Sequence, residues 1–151
     1  MPSEATGVTD ADLVETFARV RVDHDNKAFY RGWLDKRLLL NRCRQCGQWH
    51  HPPKPICPYC WSGDVEPTEV SGRGTVHLLI LLHQGPDAPG VDYTAGPHPV
   101  ATVELVEQVG LRFTSTVIGT PVADIHIGMP VELTWIERDG VPFPVFQPAG
   151  I

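Results

Sequence analysis

No stretch of this chain approaches the ~18–20 consecutive apolar residues that a membrane-spanning helix needs. The first twelve residues are polar and acidic, with neither a basic start nor an apolar run, so no secretory leader is expected there. The expected compartment is cytoplasmic, where thiols stay reduced and disulfides are not expected. The familiar catalytic fingerprints are missing as well: Gly-x-Ser-x-Gly, His-Glu-x-x-His, the P-loop and Gly-x-Gly-x-x-Gly. Gly72-Arg73-Gly74 is too short to cradle a phosphate. Seven histidines are present, but no spacing pairs one of them with a partner as a general base. Catalysis by this chain alone is therefore not expected. Long helices are disfavoured too, because 15 prolines and 14 glycines punctuate 151 residues.

What is present is unevenly distributed. Residues 19–54 hold nine of the 12 basic side chains against three acids, a local +6, while the remainder carries −12. Two readings stand side by side. The basic residues either offset the negative charge of a thiolate–metal centre, or they form a face for an anionic ligand or an acidic partner.

The pattern along the chain is a short helical lead followed by strands. Thr9 and Asp12 have capping-box spacing, and Leu13, Phe17 and Val20 share a face, which predicts a helix over 10–21. Asp25 is the expected cap of a second short helix carrying Phe29, Tyr30 and Trp33, with Gly32 counting against it. Leu38, Leu39 and Leu40 lead into the first cysteine pair as a strand. Residues 75–82 read as a buried strand after a glycine bend. Residues 84–99 read as a loop, 100–107 and 111–118 as a hairpin. The segments 130–137 and 141–146 form a second hairpin around Arg138-Asp139-Gly140. The fold class expected is mainly β with short N-terminal helices: a helical segment (1–36), a four-cysteine zinc ribbon (37–66) and a five-stranded OB-like barrel (67–151). The strand pattern alone also allows a sandwich.

The cysteines carry the sharpest signal. Cys43-Arg44-Gln45-Cys46-Gly47 and Cys57-Pro58-Tyr59-Cys60 are two knuckles separated by ten residues. Two residues between sulfurs let both point at one ion, and Gly47 relieves the turn. Four soft ligands in a tetrahedron suit Zn²⁺, though softness alone does not separate zinc from the iron of a rubredoxin-like site. All four cysteines are used, so the site has no open coordination position and is expected to support folding. A solvent ligand on the metal would refute that reading.

Phe29, Tyr30, Trp33 and Trp49 are interleaved with Arg31, Lys36, Arg37, Arg42 and Arg44. They read either as a small core packing helix on ribbon or as a contact surface, since aromatics and arginine are favoured at hot spots. Single-stranded nucleic acid is a rival ligand for ribbons and OB-folds. The barrel segment, however, holds only Arg73, Arg112 and Arg138 and is strongly acidic, which repels phosphate.

Taken together, Phe29-Tyr30-x-x-Trp33-Leu34, Cys43-x-x-Cys46-Gly47, Pro52-Pro53, Cys57-Pro58-x-Cys60, the segment 69–76 and Ile127-Gly128-Met129-Pro130-Val131 resemble a known family. It pairs a rubredoxin-like zinc ribbon with an OB-fold, and its acyl-CoA-associated members were long known as a domain of unknown function. The likeness runs from about residue 25 to 148. The resemblance implies a non-catalytic accessory subunit of a heteromeric acyl-CoA aldolase or thiolase complex, with a thiolase-superfamily or lipid-transfer-protein-like enzyme as partner. Steroid side-chain degradation is one setting of similar domains. Related domains are also fused to hydratase segments; within these 151 residues no such fusion is expected, which reads as a stand-alone subunit or an excised domain. The resemblance further implies structural zinc on Cys43, Cys46, Cys57 and Cys60, and a coenzyme A thioester met near Phe29, Trp33, Arg37 and Trp49. The alternatives are a stand-alone acyl-CoA-binding protein and a single-stranded nucleic-acid-binding OB protein.

Overall fold

The computed structural model describes residues 7–150. The chain divides into two compact units, one running through Val70 and the other starting at Ser71.

The first unit opens with α1 (Asp10–Thr16), capped as its sequence demands: Thr9 and Asp12 form a complete capping box. The helix is shorter than the 10–21 expected. Phe17 already leaves helical geometry, and the Thr16 hydroxyl bonds back to the Asp12 carbonyl, which loosens a helix end. Leu13 and Phe17 are buried as anticipated, but Val20 lies beyond the helix and is 40% exposed. The second helix, α2 (Lys27–Leu34), is not capped by Asp25; its N-cap is Asn26. The carboxylate of Asp23 serves this end instead, accepting from the N–H groups of Asp25 and Asn26, while the Asn26 side chain accepts from the Asp23 N–H. An Asx turn two residues upstream thus displaced the predicted cap.

Gly32 counted against α2, yet the helix requires it. A Cβ there would lie 2.8 Å from the Arg37 carbonyl oxygen and 3.0 Å from Leu39. The glycine lets the chain fold back tightly at Arg37 and the Leu39 side chain of the ribbon sheet pack against α2. That sheet comprises β1 (Leu39–Cys43), β2 (Trp49–His50) and β3 (Val65–Glu69), antiparallel in the order β2-β1-β3. Strand β3 thereby joins residues 65–69 to the ribbon.

The second unit holds β4 (Arg73–Leu82), β5 (His98–Leu105), β6 (Arg112–Ser115), β7 (Pro130–Arg138) and β8 (Val141–Pro148), in the order β6-β5-β4-β7-β8. Both predicted hairpins form, and the Asp139-Gly140 turn joins β7 to β8. The ends of the sheet curl toward each other. Ile118 donates to Phe146 and Phe146 donates to Thr116, beside a parallel bridge between Val117 and Phe146. That contact makes an OB-like half-barrel and removes the sandwich alternative. Its interior is filled by Val76, Ala101, Val103, Leu105, Phe113, Val131, Val145 and Phe146.

One strand departs from expectation. The run 75–82 reads as fully buried, but β4 pairs with β7 only from Arg73 to Thr75 and carries a bulge between Val76 and Leu78. Beyond the bulge no second strand among the described residues pairs with it on that side, and Leu78, Ile80 and Leu81 are 51%, 57% and 41% exposed.

Candidate metal centre

Strand β1 ends at Cys43, and the chain turns through Gln45 and Cys46 into β2, so the first knuckle is a tight connection between paired strands. Gly47 closes it with φ +78° and donates its N–H to the Cys43 carbonyl at 2.9 Å. The second knuckle repeats the geometry. Trp61 occupies the position equivalent to Gly47, has φ +67°, and donates to the Cys57 carbonyl at 2.9 Å. Backbone N–H groups also point at sulfur: Cys46 to Cys43 at 3.5 Å and Tyr59 to Cys57 at 3.4 Å.

The four sulfurs all lie within 4.8 Å of one another, with Cys43–Cys60 at 3.5 Å and Cys46–Cys57 at 3.7 Å. A tetrahedral zinc with Zn–S bonds of ~2.3 Å separates its sulfurs by ~3.8 Å. The donor set fits that ion in number, softness and spacing. Protonation reinforces the point. The Cys46 backbone N–H, foremost among several contacts, holds Cys43 down to about 7. The Ser62 backbone N–H lowers Cys60, but burial and the three neighbouring thiols override it and push that group up to about 12. Four thiolates this close repel one another, and a divalent cation is what lets all of them ionise together. Cys43 and Cys57 are buried and Cys46 and Cys60 exposed, so the centre sits at the rim of the ribbon.

The basic residues around the ribbon are largely matched within the same unit. Arg31 and Lys27 pair with Asp10, Arg37 with Glu69 at 2.9 Å, and Arg44 with Asp64 and Glu66. Arg42 donates to the Gly47 carbonyl and lies over the Trp49 ring at 5.2 Å, within cation–π reach. The sequence concentrates positive charge here, and the fold brings acids from both flanks to meet it.

The aromatics form one cluster. Phe29 contacts Tyr30, Trp33 and His51 with ring centroids 5.0, 5.5 and 5.1 Å apart, and Phe17 closes the group against Tyr30 and Trp33. Phe29 and Trp49 are buried, whereas Trp33 and Arg37 keep part of their surface. The cluster makes His51 a packed residue. Burial first, and the neighbouring His50 second, lower it to about 4.

Two features escaped the sequence reading. Spacing singled out none of the seven histidines, and the burial of His51 depends on α2, which sequence spacing does not place. Trp61 had a legible signal: Cys-x-x-Cys is followed by glycine in the first knuckle and by tryptophan in the second. It is 82% exposed, and Tyr59 and Ile56 beside it are 59% and 51% exposed.

Comparison with known proteins agrees with this geometry. Residues 32–66 match the family model described as the ChsH2 rubredoxin-like zinc ribbon domain, and residues 67–135 match the ChsH2 C-terminal OB-fold domain. The chain is 38% identical over 132 residues to a probable enoyl-CoA hydratase alpha subunit of Thermomonospora curvata, covering 87% of this chain and 40% of that protein. It is 32% identical over 136 residues to the 3-oxo-4,17-pregnadiene-20-carboxyl-CoA hydratase alpha subunit of Mycobacterium tuberculosis, again covering 40% of that protein. This chain thus spans well under half the length of either hydratase subunit. A DUF35 domain-containing scaffold protein of Methanocaldococcus jannaschii is 33% identical over 123 residues, 76% of this chain and 83% of that one. Among solved structures, a chain of an Ltp2-ChsH2(DUF35) aldolase superposes with a TM-score of 0.76 at 37% identity, covering 86% of this chain and 98% of that chain.

Proposed function

The chain belongs to the ChsH2 family, which joins a rubredoxin-like zinc ribbon to a C-terminal OB-fold (DUF35), and from that premise we propose that it is a non-catalytic accessory subunit of a heteromeric acyl-CoA aldolase or thiolase complex. The observation that carries this reading is the likeness to the aldolase chain, at 37% identity and over 98% of that chain's length. Two further facts support it. The only metal-ligating cluster among the described residues is a closed four-sulfur site, which suits a structural ion. Among the described residues the buried polar side chains are Asn41, His50 and Thr116, and we assign carbon–carbon bond cleavage to the partner.

In this role structural zinc on Cys43, Cys46, Cys57 and Cys60 holds the ribbon, and the ribbon anchors the helices that carry the aromatic cluster. The partner is a thiolase-superfamily or lipid-transfer-protein-like enzyme, and the substrate is a coenzyme A thioester. A steroid side chain is the acyl group we favour, because the mycobacterial relative is named for a pregnadiene carboxyl-CoA. Trp33 and Arg37, both half-buried, are the accessible part of the contact face we assign, backed by the buried Phe29 and Trp49. The working compartment is the cytoplasm, and no helix among the described residues is long and apolar enough to cross a membrane. Nucleic acid is disfavoured: in the barrel Arg112 pairs with Glu104, and Arg138 stacks on Phe143 at 4.1 Å.

The test is a tagged pull-down from the native cell, followed by mass spectrometry and an acyl-CoA cleavage assay on the purified complex. Recovery of a thiolase-like enzyme whose activity requires this chain supports the reading. Recovery of the chain alone, or with nucleic acid, refutes it.

A further inference from the structure

We infer that the outer half of β4 is a self-pairing edge, through which two copies of this chain associate antiparallel about a two-fold axis at Ile80. The inference starts from backbone groups. Leu105 of β5 donates to Leu111, on the β6 side. Alternation along β5 then turns Thr102, Val100 and His98 toward β4, where they face Leu78, Ile80 and Leu82. Those three direct their N–H and C=O groups at β5, so Leu79 and Leu81 direct theirs the other way. On that side β7 has already ended its pairing; Val76 makes the last contacts, donating to Met129 and accepting from Gly128. Among the described residues no hydrogen bond reaches the main chain of Leu79 or Leu81 from that side.

Exposed edges of this kind are usually guarded by charge, proline or a covering element. Residues 76–84 contain no Asp, Glu, Lys, Arg or Pro, and Leu78, Ile80 and Leu81 are 51%, 57% and 41% exposed. The occupant is indicated by the sequence itself. His77-Leu78-Leu79-Ile80-Leu81-Leu82-His83 reads the same in both directions. Placed antiparallel on a second copy about Ile80, Leu79 meets Leu81, and all the open N–H and C=O groups of both residues find partners. Leu78 meets Leu82, and Ile80 meets Ile80 as a non-hydrogen-bonded pair. A two-fold interface must be self-complementary, and this segment is so residue by residue. An edge on a different protein would impose no such symmetry. The seam is short, so the association is weak, in the micromolar range typical of small interfaces.

The experiment uses the purified, zinc-loaded full chain in sedimentation velocity from about 1 to 200 µM. A concentration-dependent monomer–dimer equilibrium is expected. Ile80→Lys, which sets two like charges face to face, is expected to weaken it at least ~100-fold with zinc content and circular dichroism unchanged. Ile80→Cys is expected to give an oxidised dimer linked through the introduced thiols, because non-hydrogen-bonded antiparallel pairs bring Cα atoms to ~4.5 Å, within disulfide range. Leu78→Cys, which faces Leu82 of the other copy, is expected not to cross-link. If Ile80→Lys fails to fold, the pair of cysteine variants decides. A monomer throughout the range, a dimer indifferent to Ile80→Lys, or cross-linking through Leu78→Cys but not Ile80→Cys overturns the inference. So does a chain that is monomeric alone but loses a co-purifying enzyme on Ile80→Lys, since the edge would then belong to that enzyme. The sedimentation and cross-linking outcomes do not depend on the accessory role proposed above; only the loss of a co-purifying enzyme draws on it.

Discussion

Trp61 should be replaceable by glycine with a gain in stability. It stands at φ +67° in the second knuckle, where the first knuckle has Gly47 at +78°. Left-handed geometry costs an L-residue ~1–2 kcal/mol, while glycine gives up ~0.5–1 kcal/mol of chain entropy. At 82% exposure the indole contributes little burial in the free chain, and the N–H bond to the Cys57 carbonyl survives the change. The balance favours Trp61→Gly by ~0.5–1 kcal/mol. For a unit of this size that is a rise in melting temperature of ~2–8 °C. Gly47→Ala is the mirror experiment and should lower the melting temperature by a similar amount, since alanine there takes on the strain that tryptophan bears at 61. The assay is thermal unfolding of the zinc-loaded chain, with zinc release to a chromogenic chelator followed in parallel. A Trp61→Gly variant that melts earlier or releases zinc faster would refute the reasoning, and would mean that the indole contributes contacts worth more than its backbone strain.

Three further expectations follow from other parts of the chain. Cys57→Ser, or stripping with a strong chelator, should unfold the first unit, because thiolate–zinc affinity is folding free energy of order ~10 kcal/mol in ribbons of this kind; bound zinc and the tryptophan emission of Trp33 and Trp49 report it. His51 titrates at about 4 in the folded chain, below the ordinary ~6.5 of the unfolded chain. The unfolded state therefore binds the extra proton first, and stability is intact above pH 6.5 and falls as pH drops toward 4. The loss is ~2 kcal/mol by pH 5, and denaturant titrations should show it flattened in His51→Leu. Phe146 is fully buried where the ends of the half-barrel meet, with Phe113 at 6.2 Å. Phe146→Ala should cost ~3–5 kcal/mol, read as earlier denaturant unfolding with zinc retained, and loss of zinc in step with the barrel would contradict it.

Local chemistry made much of this protein legible from its residues. The four cysteines need only their own spacing and a turn, so the metal centre is written in the sequence. The Thr9–Asp12 capping box and the Asp139-Gly140 turn likewise act over a few residues and formed as read. Features that depend on distant segments were not legible. Helix α1 ends at Thr16, and α2 approaches β1 only through Gly32, which propensity alone counts as a defect. Phe29 and Trp49 are buried by residues remote in sequence, and the charge concentrated in 19–54 is met by Asp10, Asp64, Glu66 and Glu69. The run from Leu78 to Leu82 has the composition of a core strand, but burial needs a neighbour on each side, and β7 leaves β4 after Thr75. Which groups can bind a metal, cap a helix or turn a hairpin follows from local sequence, since those interactions close within a few bonds. Which apolar and charged side chains find partners is set by the folded chain, because that depends on where distant segments return.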